Sequence, residues 1–329
     1  MDIRQLRYFI AIVETGSFSR AAERLCVAQP ALSQHVLAME AALGVTLLQR
    51  NPRGVVLTEA GQRLLERARD IDGSFQALDD YVRGITTPAG DVRFGMPATI
   101  NEQLGVPLIE SALEKFPKIR IRISEAMSGF VLDWLRDGIV DIALLYNVID
   151  EKGLILQHVL TEEIRLFGRP DMKGIPRGES LTLGNALRLP LILPGPAHGL
   201  RQLIETAAQK TGTPLEPAIE IDSYRQIKQL AMRGIGYGML PATAIRQEVL
   251  DRTFFSWRVT NSALVRRIYL GSPKARPLSA ASRAVSQLSL SILNTLVSTG
   301  AWPATWADNA PPALGTKPTG SELAPAVKT

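Results

Sequence analysis

Residues 18–34 read Phe18-Ser19-Arg20-Ala21-Ala22-Glu23-Arg24-Leu25-Cys26-Val27-Ala28-Gln29-Pro30-Ala31-Leu32-Ser33-Gln34. Ser19 is placed to cap a short helix over 20–25, with Ala21, Ala22 and Leu25 turned inward. Residues 26–28 form a turn, and Cys26 reads as a core filler beside it. A second helix starts at Gln29. Pro30 falls in its first turn, where a missing N–H costs little. That helix continues through Leu32, Val36, Met39 and Leu43 and stops at Gly44. Upstream, Leu6, Phe9, Ile10 and Val13 give a helix over 4–15 one apolar face, closed by Gly16. A helix, a short turn and a second helix with polar residues at its start outline a helix-turn-helix from about Phe18 to Leu37.

The chemistry at the start of the second helix suits a DNA groove. A glutamine such as Gln29 or Gln34 can pair with both N6 and N7 of adenine, and a serine such as Ser33 with several base edges. Ser19, Arg20 and Pro30 complete this candidate surface. Residues 50–57 (Arg-Asn-Pro-Arg-Gly-Val-Val-Leu) read as a β-hairpin wing, from which Arg50 and Arg53 would reach phosphate or the minor groove. Taken singly, each feature is also what a plain three-helix bundle or a solvated surface offers. Their conjunction is more specific.

Composition fits a two-domain globular chain of 329 residues, 46% hydrophobic and 21% charged. One cysteine excludes an internal disulfide framework, and three scattered histidines give no metal spacing. The first residues carry charges and lack a signal-peptide core, so a cytoplasmic location is expected. The net charge of +5 favours a polyanionic partner, but residues 1–57 hold only six arginines against four acids. Charge alone therefore does not single out a nucleic-acid domain.

Leu64, Ala68, Ile71, Phe75, Leu78 and Val82 recur at spacings of four and three. A helix over 58–83 would be about 39 Å long and would need a second copy of the chain to cover that stripe. The other reading folds the stripe back onto its own α/β domain. A hinge over 85–90 follows, with Pro88 and Gly90 as breakers.

Beyond it, strands over 92–96, 119–123, 141–146, 164–168, 189–193, 218–221, 236–240 and 267–270 alternate with helices over 101–116, 130–137, 200–210, 224–233 and 279–297. This predicts an α/β domain with a largely parallel sheet. Ligands on such sheets sit at strand ends, near helix N-termini. Thr99 with Ile100, Ser128 with Gly129, His198, Arg201 and Ser223 fall at such points and suit a small anion, typically a carboxylate. Helix capping and surface ion pairs are the alternative roles for these residues. No cofactor, metal or catalytic constellation is expected. Gly234-Ile235-Gly236-Tyr237-Gly238 leads into a strand rather than a helix and is no dinucleotide fingerprint. The last segment, 299–329, is rich in Pro, Ala, Gly and Thr and is expected to be disordered, with Trp302 and Trp306 able to dock.

Four stretches carry a family resemblance: Phe18 to Leu25, Gln29-Pro30-Ala31-Leu32-Ser33-Gln34, Leu43-Gly44-Val45 and Leu57-Thr58-Glu59-Ala60-Gly61. Together they resemble a LysR-type transcriptional regulator, densely over 1–65 and more loosely to about 298. One departure is Ala28, where the family usually has a serine at the recognition-helix cap. The resemblance implies a winged helix-turn-helix over 1–58 and a linker helix and hinge over 59–88. It also implies an effector domain over 89–298, built of two periplasmic-binding-protein-like subdomains (91–161 with 267–298, and 162–266). An effector would lie between them, touching Thr99 and Ser128. Double-stranded DNA, a second copy of the chain, often a tetramer, and RNA polymerase are the implied partners, with no membrane. Two rivals use the same two lobes without DNA binding: a small-molecule binding protein and a transferase.

Overall fold

The computed structural model describes residues 1–51, 54–82, 88–148, 151–172, 178–260 and 264–307. Arg53, the side chain of Arg50, residues 85–87 of the expected hinge and the tail beyond 307 lie outside what it describes.

The chain starts with α1 (Ile3–Thr15), α2 (Phe18–Leu25) and α3 (Gln29–Leu43). Asp2 caps α1, accepting from Gln5 N at 2.8 Å while the Gln5 side chain accepts from Asp2 N. The cap of α2 is Ser17 rather than Ser19, which lies exposed inside the helix. Phe9, Ile12, Ala21 and Leu32 are fully buried in the head's core. Burial of each large apolar side chain contributes about 1.5–3 kcal/mol. α3 runs through Leu37, the approximate limit of the helix-turn-helix outline, to Leu43, where the sequence places its end. No breaker or cap stands at Leu37, so the helix continues until Gly44 stops it in the left-handed conformation. Leu37 is also exposed, because Val36 beside it takes the inward position. Leu43, expected inside, is exposed as well. So is Cys26, which ends α2 in the left-handed conformation rather than filling the core. The wing is an antiparallel pair, β1 (Leu48–Asn51) and β2 (Gly54–Leu57). Val55 N donates to Gly16 O at 3.0 Å, and Glu40 accepts from Leu47 N and Leu48 N, so the wing is tied to the bundle on both sides.

Next comes α4 (Glu59–Val82), whose first turn is capped by the Thr58 hydroxyl accepting from Gly61 N. Then follow β3 (Gly90–Met96), α5 (Ala98–Lys115), β4 (Ile119–Glu125), α6 (Ser128–Arg136), β5 (Ile142–Tyr146) and β6 (Leu154–Gly168). The second lobe holds β7 (Ser180–Thr182), α7 (Leu183–Ala186), β8 (Leu191–Leu193), α8 (Gly199–Thr211), β9 (Ile219–Glu220), α9 (Tyr224–Met232), β10 (Tyr237–Pro241), a 3-10 turn (Ala242–Ile245), α10 (Arg246–Leu250) and β11 (Phe255–Thr260). The chain returns through β12 (Val265–Pro273), α11 (Ala280–Ser298) and β13 (Ala304–Trp306).

Each lobe has a parallel run, β4-β3-β5 in the first and β10-β8-β9 in the second, and β12 closes the first antiparallel to β5. The expected largely parallel sheet fails where the lobes join. There β6 and β12 run side by side antiparallel, and β6 continues into the second lobe against β10 and β11, again antiparallel. Val159 and Leu160 belong to the first lobe's core, Ile164 and Leu166 to the second; the return passes between Leu264 and Ile268. The segment 299–307 is ordered, contrary to expectation. Trp302 is buried in the first lobe and β13 pairs with β6. A large apolar ring and a strand partner supply what the composition of the tail conceals.

Candidate nucleic-acid interface and ligand cleft

On α3 the buried stripe Leu32, Val36 and Met39 faces the bundle, which leaves the start of the helix outside. Pro30 and Gln34 are exposed; Gln29 and Ser33 are half-buried, and Gln29 Nε2 lies 3.5 Å from Ser33 Oγ. Leu37 follows one turn after Ser33 and Gln34 and extends that outer face with an apolar side chain. Ala28 takes the extended conformation of a cap but supplies no side-chain acceptor. The positive end of the α3 dipole is therefore available to a phosphate. Ser19 and Arg20 are exposed on α2, the helix before it.

The stripe on α4 divides. Ala68 is buried in the head's own core, so it does not await a partner copy, and Leu64 packs partly against that core. Ile71, Phe75, Leu78 and Val82 are 48, 45, 58 and 73% exposed, an apolar edge uncovered within the single chain.

The cleft between the lobes has two unlike faces. On the first lobe, α5 and α6 begin at Pro97 and Met127 without any side-chain cap. Thr99 Oγ1 lies 2.6 Å from Tyr146 Oη, and Ser128 Oγ accepts from Tyr146 N at 3.1 Å. Arg266, on β12, donates from Nη2 to Thr99 Oγ1 at 3.2 Å, and its guanidinium carbon lies 3.6 Å from the Tyr146 ring centroid. Burial raises the Tyr146 phenol above its ordinary range. On the second lobe, His198 Nδ1 accepts from Leu200 N and Ser223 Oγ from Gln226 N, so each hydroxyl or ring nitrogen already caps its own helix. Burial holds the His198 imidazole below its usual range; Asp222 opposes this and the Arg266 charge adds to it. The lobes touch where Tyr224 Oη donates to Glu102 Oε2 at 2.7 Å; desolvation and that bond push the phenol up to about 12.

Two expected ligand residues do not face this cleft. Ile100 is fully buried in the first lobe's core. Arg201 is buried inside the second lobe, donating to Glu205 and Glu220 and to Pro194 O. An arginine in the first turn of a helix meets its own i+4 acid and the next strand before it meets the cleft. Thr99, Ser128 and Arg266 are brought together instead, with Gly129 exposed at the start of α6 and His198 in electrostatic reach. Sequence reading missed Arg266, Tyr146 and Tyr224. The expected strand over 267–270 starts too late to include Arg266; the charged pair Arg266-Arg267 inside an apolar strand was its only signal.

The family model "Bacterial regulatory helix-turn-helix protein, lysR family" matches residues 3–62, and "LysR substrate binding domain" matches 86–292. The nitrogen assimilation regulatory protein nac of Escherichia coli (strain K12) is 29% identical over 299 residues, covering 90% of this chain and 97% of that protein. The HTH-type transcriptional regulator BbuR of Bordetella bronchiseptica is 26% identical over 304 residues, 92% and 93% of the two chains. In fold, the chain is similar to a full-length OxyR variant from Pseudomonas aeruginosa, with a TM-score of 0.76, 21% identity and coverage of 89% and 97%.

Proposed function

The chain belongs to the lysR family of bacterial helix-turn-helix regulators, a DNA-binding transcription regulator with a substrate-binding domain, and from that premise we propose how its residues divide the work. Gln29, Ser33 and Gln34 read base edges, while Ser19, Arg20, Pro30, Arg50 and Arg53 position the head on the backbone. Ile71, Phe75, Leu78 and Val82 pair with a second copy, placing two heads on one duplex. The protein works in the cytoplasm and performs no chemistry on its ligand. A small anion, typically a carboxylate, binds against Thr99, Ser128 and the open starts of α5 and α6. It favours the closed arrangement of the lobes by no more than its differential affinity for the two arrangements.

The observation that carries this reading is the asymmetry of caps. The two helices starting at the cleft on the first lobe are uncapped by side chains, and the two on the second are capped by His198 and Ser223. The test is fluorescence anisotropy on the duplex upstream of the protein's own gene. Arg53→Ala should weaken binding at every sequence and flatten the salt slope by about one, whereas Gln29→Ala should relax preference at particular bases. A chain that ignores duplex DNA in dilute buffer overturns the assignment of the reading surface.

A further inference from the structure

Glu162 sits where β6 passes from one lobe to the other, and its side chain is wholly buried. Four donors converge on it. Arg266 Nε donates to Oε1 at 2.7 Å, and Nη2 lies 2.5 Å from the same oxygen. Thr243 Oγ1 and Trp302 Nε1 donate to Oε2 at 3.2 and 3.0 Å. These donors come from β12, from the 3-10 turn of the second lobe and from the segment after α11. A buried carboxylate with this many donors is held in one orientation.

The consequence falls on Arg266. Its Nε–Nη2 edge is gripped by Glu162, Nη2 also reaches Thr99, and its plane lies over the Tyr146 ring. Among the described residues Nη1 has no hydrogen-bond partner. A guanidinium fixed on three sides beside Thr99 keeps the N–H groups of Nη1 for an anion, and its rotamer entropy is already lost before a ligand arrives. Glu162 also moderates the field. Paired with it, Arg266 presents a dipole with its positive end at the cleft rather than a bare charge.

We infer that Arg266 is the receptor for the anionic end of the cleft's ligand, and that Glu162 is the positioning residue that orients it and sets its strength. This rests on the cleft being the effector site. It adds to that reading a residue pair and a direction: removing the Glu162 charge strengthens discrimination for anions, and removing Arg266 abolishes it.

The test is a thermal-shift titration of the full chain. Acetate, succinate, glutarate, benzoate and phthalate are each paired with the neutral amide. The wild type is expected to be stabilised by at least one acid and not by its amide. In Glu162→Gln the preference for acid over amide rises. In the double variant Arg266→Met/Glu162→Gln, which leaves no buried charge unpaired, it falls by about tenfold or more toward equality. A merely structural pair would move both variants in the same direction. Retained preference in a folded double variant overturns the assignment of Arg266. Should that variant not fold, Glu162→Gln decides alone, and a preference at or below wild type overturns the inference. Indifference of the wild type to every acid overturns the effector reading itself, a failure distinguishable from the others because it appears before any substitution.

Discussion

Arg276 lies across Gly73 so closely that a β-carbon on Gly73 would sit 2.6 Å from Arg276 Cδ. Gly73 is in the middle of α4, and Arg276 belongs to the loop before α11 of the first lobe. The arginine is buried and donates from Nη2 to Val140 O at 3.2 Å. Beside it Arg69 donates to Asp137 O, and Glu14 of α1 lies 3.7 Å from Arg93 of β3, itself gripped by Asp141. Burial and the neighbouring Arg93 charge pull Arg69 down to about 10. The head is thus docked on the first lobe through guanidinium groups.

Replacing Gly73 by alanine tests that docking. A helical glycine-to-alanine change ordinarily stabilises by about 0.5–1 kcal/mol. Here the buried Arg276 must give way, so Gly73→Ala should lower stability by about 1 kcal/mol or more and speed tryptic release of the head. An unchanged or higher melting temperature would show that α4 is not held there.

The bare cap of α3 gives a second expectation. Ala28 already has the extended backbone of a cap, with φ −71° and ψ 133°. Ala28→Ser needs no rearrangement and should stabilise the head by about 1 kcal/mol, read from chemical denaturation. Loss of stability would place another obstacle at that turn.

The exposed edge of α4 gives a third. Leu78 is among its most open residues, at 58%. Leu78→Asp should convert the assembly to monomer in light scattering and weaken binding to a two-half-site duplex far more than to a half-site. Equal loss on both duplexes would point to damage in the head rather than to lost pairing.

The depressed His198 makes a fourth, with a direction in pH. Its imidazole titrates below 6.5 when folded and near 6.5 when unfolded, so the unfolded chain binds more protons between the two values. Stability from this residue is complete above about pH 6.5 and is lost as pH falls through the folded value. His198→Asn keeps an acceptor for Leu200 N and does not titrate. The melting temperature of the variant should therefore fall less than the wild type's between neutral pH and pH about 5. Parallel curves would assign the acid sensitivity elsewhere.

Much of the head was legible in sequence because its information is local. Leu6, Phe9, Leu32 and Val36 fall at helical spacing, and Gly16 and Gly44 stop helices by their positive φ. The cap slipped by two residues, from Ser19 to Ser17, since either serine satisfies the same pattern. The α/β elements were found where a strand or helix carries its own apolar period. The strands β7, β11 and β13 were missed because they owe their form to their neighbours: β11 pairs with β6 and β7, and β13 with β6.

The amino-acid sequence alone determined that the chain carries a reading helix starting at Gln29, a long helix with an apolar edge, and a two-lobed α/β body. Periodicity, breakers and caps act over a few residues and are written in order along the chain. Only the tertiary structure decided that Arg201 is spent inside its lobe, that Ala68 is claimed by the head, and that Glu162, Thr243, Arg266 and Trp302 meet at one carboxylate. These residues lie up to 140 positions apart. No local rule connects them; the antiparallel register of β6 and β12, and the burial that forces every charge there to find a partner, do.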